Sequence, residues 1–123
     1  TLASINALRS FPQFAAYAAS KAAVLSFAQT LRDELALQKS DVRIALVCPP
    51  TIRTSLVLNL PDPPPIYRHF PWLTPEQVAR AIRRALDGDQ FLVYVNWQSW
   101  GIHWLTRLAP RLTDRLVRRW SQG

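Results

Sequence analysis

The sequence predicts an α/β fold in which helices cover buried parallel strands. Three stretches carry that expectation. "FPQFAAYAASKAAVLSFAQTLRDELAL" is dominated by Ala, Leu, Lys, Gln and Glu and predicts a long helix from about Ala15 to Leu37. "DVRIALVC", Asp41 to Cys48, is β-branched and continuously apolar, the character of a strand covered on both faces. Helix, short turn and buried strand in that order make the second half of a βαβ unit. "TPEQVARAIRRALDGD" followed by "FLVYV" then adds a further helix and a second short apolar strand, Phe91 to Val95.

Each element has a local reason. The first helix carries apolar residues on nearly every face, so it is expected to be buried against a sheet or another subunit. The strand ends at Pro49-Pro50, and an irregular segment runs from there to about Trp72. Its "LPDPPPIYRHFPW" can make little regular structure because proline lacks an N–H donor. A loop of that length in a small domain is usually functional, often a lid. Thr74 reads as an N-cap, with Pro75 in the first turn and Gln77 completing a capping box. Gly88 supplies the stop. In the tail, residues 97–123, Leu105, Leu108, Leu112, Leu116 and Trp120 fall near one face. Arg107, Arg111, Arg115 and Arg118 fall on the other, and Pro110 is expected to kink or split the helix.

Composition bounds the function. The 123 residues suffice for one small domain, and an apolar fraction of 49% with 19% charged residues is that of a globular chain. A single cysteine, Cys48, rules out an internal disulfide framework and a cysteine metal cluster, which fits a reducing, cytoplasmic setting. No apolar run approaches the roughly 20 residues that cross a bilayer, and no signal segment opens the chain. The chain starts at Thr1 without a methionine, directly before an irregular loop, which reads as a piece cut from something longer or as a processed chain. The net charge is +7, and residues 101–123 hold five arginines against one aspartate. Such a tail fits a solvated face, packing against the domain body, or an anionic membrane surface. Nucleic acid is set aside, because the arginines lie on one short segment without a base-stacking platform.

The chemistry centres on Tyr17 and Lys21. At i and i+4 they share one helical face. Tyrosine, with an ordinary pKa of about 10, is a poor base near neutrality, and a neighbouring ammonium favours its phenolate. That pairing suits protonation of a carbonyl during reduction, or deprotonation of an alcohol during oxidation. Taken alone, the pair is an ordinary helix-surface coincidence.

The surroundings change the weight. Ser4 lies thirteen residues before Tyr17, in an irregular loop leading into the helix. "SINALRSFPQFAAYAASKAAVLSFAQTLRDEL" resembles the active-site region of the short-chain dehydrogenases/reductases, which carry a serine and then Tyr-x-x-x-Lys at this spacing. "VRIALVCPPTIRTSL" resembles the family's next strand and its Pro-Gly loop. The resemblance runs from about Ser4 to Val95, so residues 1–96 read as the C-terminal half of the family's catalytic domain. It implies the C-terminal part of a Rossmann-like doubly wound parallel sheet, with the nucleotide-binding half absent. It also implies NAD or NADP as cofactor, and hydride transfer to or from a small carbonyl or alcohol substrate of hydrophobic character.

By the same resemblance, Tyr17 is the general acid/base, Lys21 lowers its pKa and meets the nicotinamide ribose, and Ser4 holds the substrate oxygen. Pro50, Thr51, Ile52 and Thr54 stand in the loop that contacts the nicotinamide end. Pro50 departs from the family, standing where glycine is usual and removing an N–H. Ser10 and Ser20 do not match the spacing and read as structural; Asn6 is out of place for the family's asparagine. With three glycines, none clustered, the chain has no glycine-rich phosphate loop, so by itself it is expected to be inactive. A homodimer or homotetramer is implied for a complete protein. The alternative is a non-catalytic interaction module, peripheral to a membrane through its basic tail. His69 and His103 read as packing or surface residues, and Cys48 as a small core residue.

Overall fold

The computed structural model describes residues 1–122; Gly123, the last residue of the predicted tail segment, and the side chain of Leu56 lie outside the described residues. Element order is α1 (Ala15–Leu37), β1 (Leu46–Cys48), α2 (Ser55–Leu58), α3 (Pro75–Asp87), β2 (Leu92–Tyr94), α4 (Trp97–Leu108) and α5 (Pro110–Ser121). Single 3-10 turns occupy Ile5–Ala7 and Pro65–Arg68.

β1 and β2 pair in parallel, with Leu46 opposite Leu92, Val47 opposite Val93 and Cys48 opposite Tyr94. On the other side of β1, Leu2 forms a parallel bridge to Val47, held by the Ala3 N–H donating to the Val47 carbonyl (2.8 Å) and the Val47 N–H to the Thr1 carbonyl (2.9 Å). β1 is therefore flanked on both edges. Its side chains alternate between two layers, as the period of a strand requires. Leu46 and Cys48 pack with Ala3 and with Val24, Leu25 and Ala28 of α1. Val47 packs with Val93 and with Ala81 and Ala85 of α3. A helix on each face of a parallel sheet is the doubly wound arrangement.

α1 spans the expected residues, but it is not buried all round. Only Ala18 and Ala28 are buried, while Phe27 and Leu37 are largely exposed. A helix meets a sheet along one stripe, and Phe27 and Leu37 lie off it. Its end is a Schellman motif: the Lys39 N–H donates to the Ala36 carbonyl and the Ser40 N–H to that of Leu35. Lys39 consequently holds a left-handed φ of 53°.

The capping box of α3 is formed. The Thr74 hydroxyl accepts from the Gln77 N–H, and the Gln77 side chain accepts from the Thr74 N–H at 2.7 Å. Gly88 follows α3 but in extended geometry (φ −98°), so the stop does not use a left-handed glycine. The Arg43 guanidinium instead donates to the Gly88 and Leu86 carbonyls at that end.

The proline segment is more ordered than expected. Ile52 bridges Leu73, while Ile66 and Phe70 enter a core with Ile5, Phe11, Ile102 and Val117. Pro110 does split the tail, into α4 and α5. The inward stripe differs from the expected one: Ile102 and His103 of α4 and Thr113 and Val117 of α5 are buried, whereas Leu108 and Leu112 are exposed. The four arginines do lie on exposed surface. Burial follows the contacts with Ile5, Phe11 and Phe70, which no helical periodicity encodes.

Candidate functional site

The candidate residues Ser4 and Pro50 follow the carboxyl ends of the Leu2 bridge and of β1, where a parallel sheet places ligands. The chain leaves the bridge at Ala3, and Ser4 begins the 3-10 turn as its N-cap. The Ser4 Oγ accepts a hydrogen bond from the Asn6 N–H at 3.2 Å, and Ser4 is buried. That bond occupies an acceptor position and leaves the hydroxyl proton available to donate. The Ile5 N–H donates to the Pro49 carbonyl (3.0 Å), tying this turn to the segment that follows β1.

From there the chain turns through Gln13, whose φ of 72° is left-handed, into α1. Tyr17 sits in the first turns of α1 and is 45% exposed. The Lys21 ammonium stands over its ring, 5.5 Å from the centroid. The helical spacing thus brings the two together, with the cation against the ring; the Tyr17 hydroxyl makes no hydrogen bond among the described residues. Ser4 and Tyr17 are not hydrogen-bonded to each other. Ser20 uses its hydroxyl locally, donating to the Tyr17 carbonyl (2.7 Å), which agrees with a structural role.

Pro50 is buried where the segment leaves the sheet. Beyond it, the Leu73 N–H donates to the Thr51 carbonyl (2.9 Å) and the Arg53 N–H to the Leu73 carbonyl (2.8 Å), so the loop is clamped around Ile52. Thr54 is the N-cap of α2 without a side-chain capping bond. The Thr51 and Thr54 hydroxyls make no hydrogen bond among the described residues.

One group escaped the sequence reading. Tyr67, in the proline segment, faces Phe14 (centroids 5.7 Å) and Trp72 (6.0 Å), and Phe14 faces Tyr17 (6.2 Å). The Trp72 indole N–H donates to the Tyr67 carbonyl, which fixes the wall. Burial raises the Tyr67 pKa above the usual tyrosine value, and the nearby Tyr17 adds to the rise. The only sequence signal was the clustering of aromatics within a proline-rich loop.

Asn6 is buried with its Oδ1 unpartnered. Cys48 is fully buried at the end of β1, and burial pushes its thiol pKa up to about 12, outweighing a hydrogen bond from the Ser4 backbone. A thiol so placed is packing material rather than a nucleophile. His69 is exposed and stacks on Trp120 (5.3 Å), and His103 is buried against Tyr94. Two surface concavities lie elsewhere, one beside Thr1, Leu2 and Ile82, the other along Gln77, Arg80 and Arg84. No group of acidic, His and Cys side chains able to hold a metal occurs among the described residues.

Comparison with known proteins gives a consistent relationship. A family profile described as short chain dehydrogenase matches residues 1–64. The chain is 31% identical over 118 residues to estradiol 17-beta-dehydrogenase 11 of Homo sapiens, covering 95% of this chain and 37% of that protein. It is 33% identical over 107 residues to the uncharacterized oxidoreductase YxnA of Bacillus subtilis, covering 84% of this chain and 30% of that one. A short chain dehydrogenase from Burkholderia cenocepacia, solved in complex with NADP, superposes with a TM-score of 0.76 at 26% identity. That match covers 94% of this chain and 45% of the other. The chain therefore spans 30–45% of the length of these relatives.

Proposed function

The chain belongs to the short-chain dehydrogenase family, and on that premise we propose that residues 1–96 carry the proton-transfer site of an NAD(P)-dependent oxidoreductase. The reaction interconverts a carbonyl and an alcohol. The observation that carries this reading is the Lys21 ammonium held 5.5 Å from the Tyr17 ring centroid, on an exposed face beside the sheet's carboxyl end.

In the reducing direction, Tyr17 gives its phenolic proton to the substrate oxygen. Lys21 supplies the cation beside the tyrosine, its ammonium held over the ring. Ser4 holds the same oxygen by donating a hydrogen bond from its hydroxyl, keeping its proton, and its Oγ is oriented for this by the bond from the Asn6 N–H. In the oxidising direction the proton returns to Tyr17 from the alcohol. A bound nicotinamide supplies or accepts the hydride. The residues fit that end of the cofactor: the Thr51 and Thr54 hydroxyls make no hydrogen bond among the described residues, and Pro50 and Ile52 stand in the same loop. NADP in the Burkholderia structure supports the same cofactor class. The adenine and pyrophosphate end has no counterpart among three unclustered glycines, so the chain by itself is proposed to be inactive.

The wall of Phe14, Tyr67 and Trp72 beside Tyr17 supports an apolar substrate. The exposed Phe27 and Leu37 on α1 support pairing with a second copy in a complete protein.

The test is a fusion of this chain behind the nucleotide-binding half of the Burkholderia enzyme, assayed for ketone reduction with NADPH. Tyr17→Phe is expected to lower kcat by a factor of about 10² to 10⁴. Equal turnover by the parent and the variant would remove the basis of the assignment.

A further inference from the structure

Helix α4 turns its most apolar face outward. Ser99, Ile102 and His103 point into the protein. On the opposite side Trp97, Trp100, Trp104 and Leu108 follow at intervals of three and four residues, within about 80° of helical arc. Their exposures are 75%, 52%, 41% and 78%. Gly101 lies in the same outward region, and a side chain built there would meet nothing within 4 Å. Three tryptophans and a leucine in line make an apolar ridge without cover among the described residues, a feature that marks an interaction surface.

The charges on α4 and α5 point to the occupant of the ridge. Arg107 is exposed at the end of α4, and Arg111, Arg115, Arg118 and Arg119 are exposed on α5. Asp114, the acid between them, is taken by Arg9. None of the five arginines forms an ion pair among the described residues. A surface combining indole rings with unpaired cations of one sign complements an anionic lipid interface. Indoles settle at headgroup level, and arginine stems lie along the apolar boundary while their guanidinium groups meet phosphates. No described helix is long and apolar enough to cross a membrane, so α4 would lie in the plane of the interface.

We propose that α4 and α5 form an interfacial membrane-docking surface, with Trp97, Trp100, Trp104 and Leu108 seated at the acyl boundary of an anionic bilayer. This goes beyond the proton-transfer reading and does not depend on it. The site wall at Tyr67 and the docking helices share one core through Ile66, Phe70 and Val117, so docking places the site close to a source of apolar substrate.

The experiment uses the purified chain with vesicles of phosphatidylcholine and phosphatidylglycerol at 3:1, and with phosphatidylcholine alone. Expected are co-sedimentation with the anionic vesicles, a blue shift of tryptophan emission, and quenching by bromine placed on the acyl chains. The triple variant W97S/W100S/W104S changes only exposed positions, and its circular dichroism is expected to match the parent. Its vesicle affinity is expected to fall about tenfold or more, and R111Q/R115Q to weaken binding to anionic vesicles alone. Vesicle binding by the triple variant equal to that of the parent overturns the proposal. So does failure of the parent to bind anionic vesicles, or a blue shift that follows protein concentration without lipid, which would mean a second protein copy covers the ridge.

Discussion

Arg9 and Asp114 meet at 2.9 Å across 105 residues of sequence, the guanidinium of the loop after Ser4 against a carboxylate of α5. The pair pins the tail to the segment that carries the candidate site. Apolar packing does the heavier part of that work, since Val117 and Trp120 of α5 share a core with Ile5, Phe11 and Phe70.

The ion pair is partly solvated, with side-chain exposures of 20% and 45%. Asp114→Asn is therefore expected to cost no more than about 1 kcal/mol. A double-mutant cycle with Arg9→Gln in urea denaturation measures the coupling, expected at roughly 0.2–1 kcal/mol and smaller in high salt. Val117→Ala is expected to destabilise more than either charge change.

Lys39 closes α1 in a left-handed conformation that favours glycine. Lys39→Gly is expected to stabilise the chain by about 0.5–1 kcal/mol, because glycine adopts that φ without the Cβ penalty. Thermal unfolding checks it; a fall in the midpoint would mean that the lysine makes a favourable contact this geometry does not reveal.

Thr74 caps α3 through the Gln77 N–H. Thr74→Ala is expected to cost about 1 kcal/mol, and Thr74→Ser to restore most of it. Urea titrations of the two variants give the comparison.

Cys48 titrates near 12 in the folded chain against an ordinary 9.0. Between those values the unfolded chain has lost the thiol proton while the folded one keeps it, so this group's contribution is intact below pH 9 and is lost progressively as pH rises toward 12. Cys48→Ala is expected to flatten the alkaline fall in stability. Iodoacetamide at pH 8 should label the thiol in denaturant and leave it untouched in the native chain.

Much of the framework was legible from residue patterns. The α1 boundaries, the capping box of α3 and the break at Pro110 depend on neighbours within a few positions, where propensity and hydrogen-bond chemistry decide. The Tyr17 and Lys21 pairing is of the same kind, being one helical turn. The bridge at Leu2 was invisible, because a segment this short shows no alternation and its partner lies 45 residues on. Tyr67 beside Phe14 was invisible for a similar reason.

By itself, the order of residues determined the long helices and the order of helix and strand, and that serine, tyrosine and lysine come at the family's spacing; the strand expected over Asp41–Cys48 forms only over Leu46–Cys48, and the short helix Ser55–Leu58 was not legible. Only the tertiary structure decided which face of each helix turns inward. α4 buries Ile102 against the core of Ile5 and Phe70 and His103 against Tyr94, leaving the more apolar tryptophan face outside. Periodicity records that a face is apolar; which face is buried rests on long-range packing energy, which no local pattern contains.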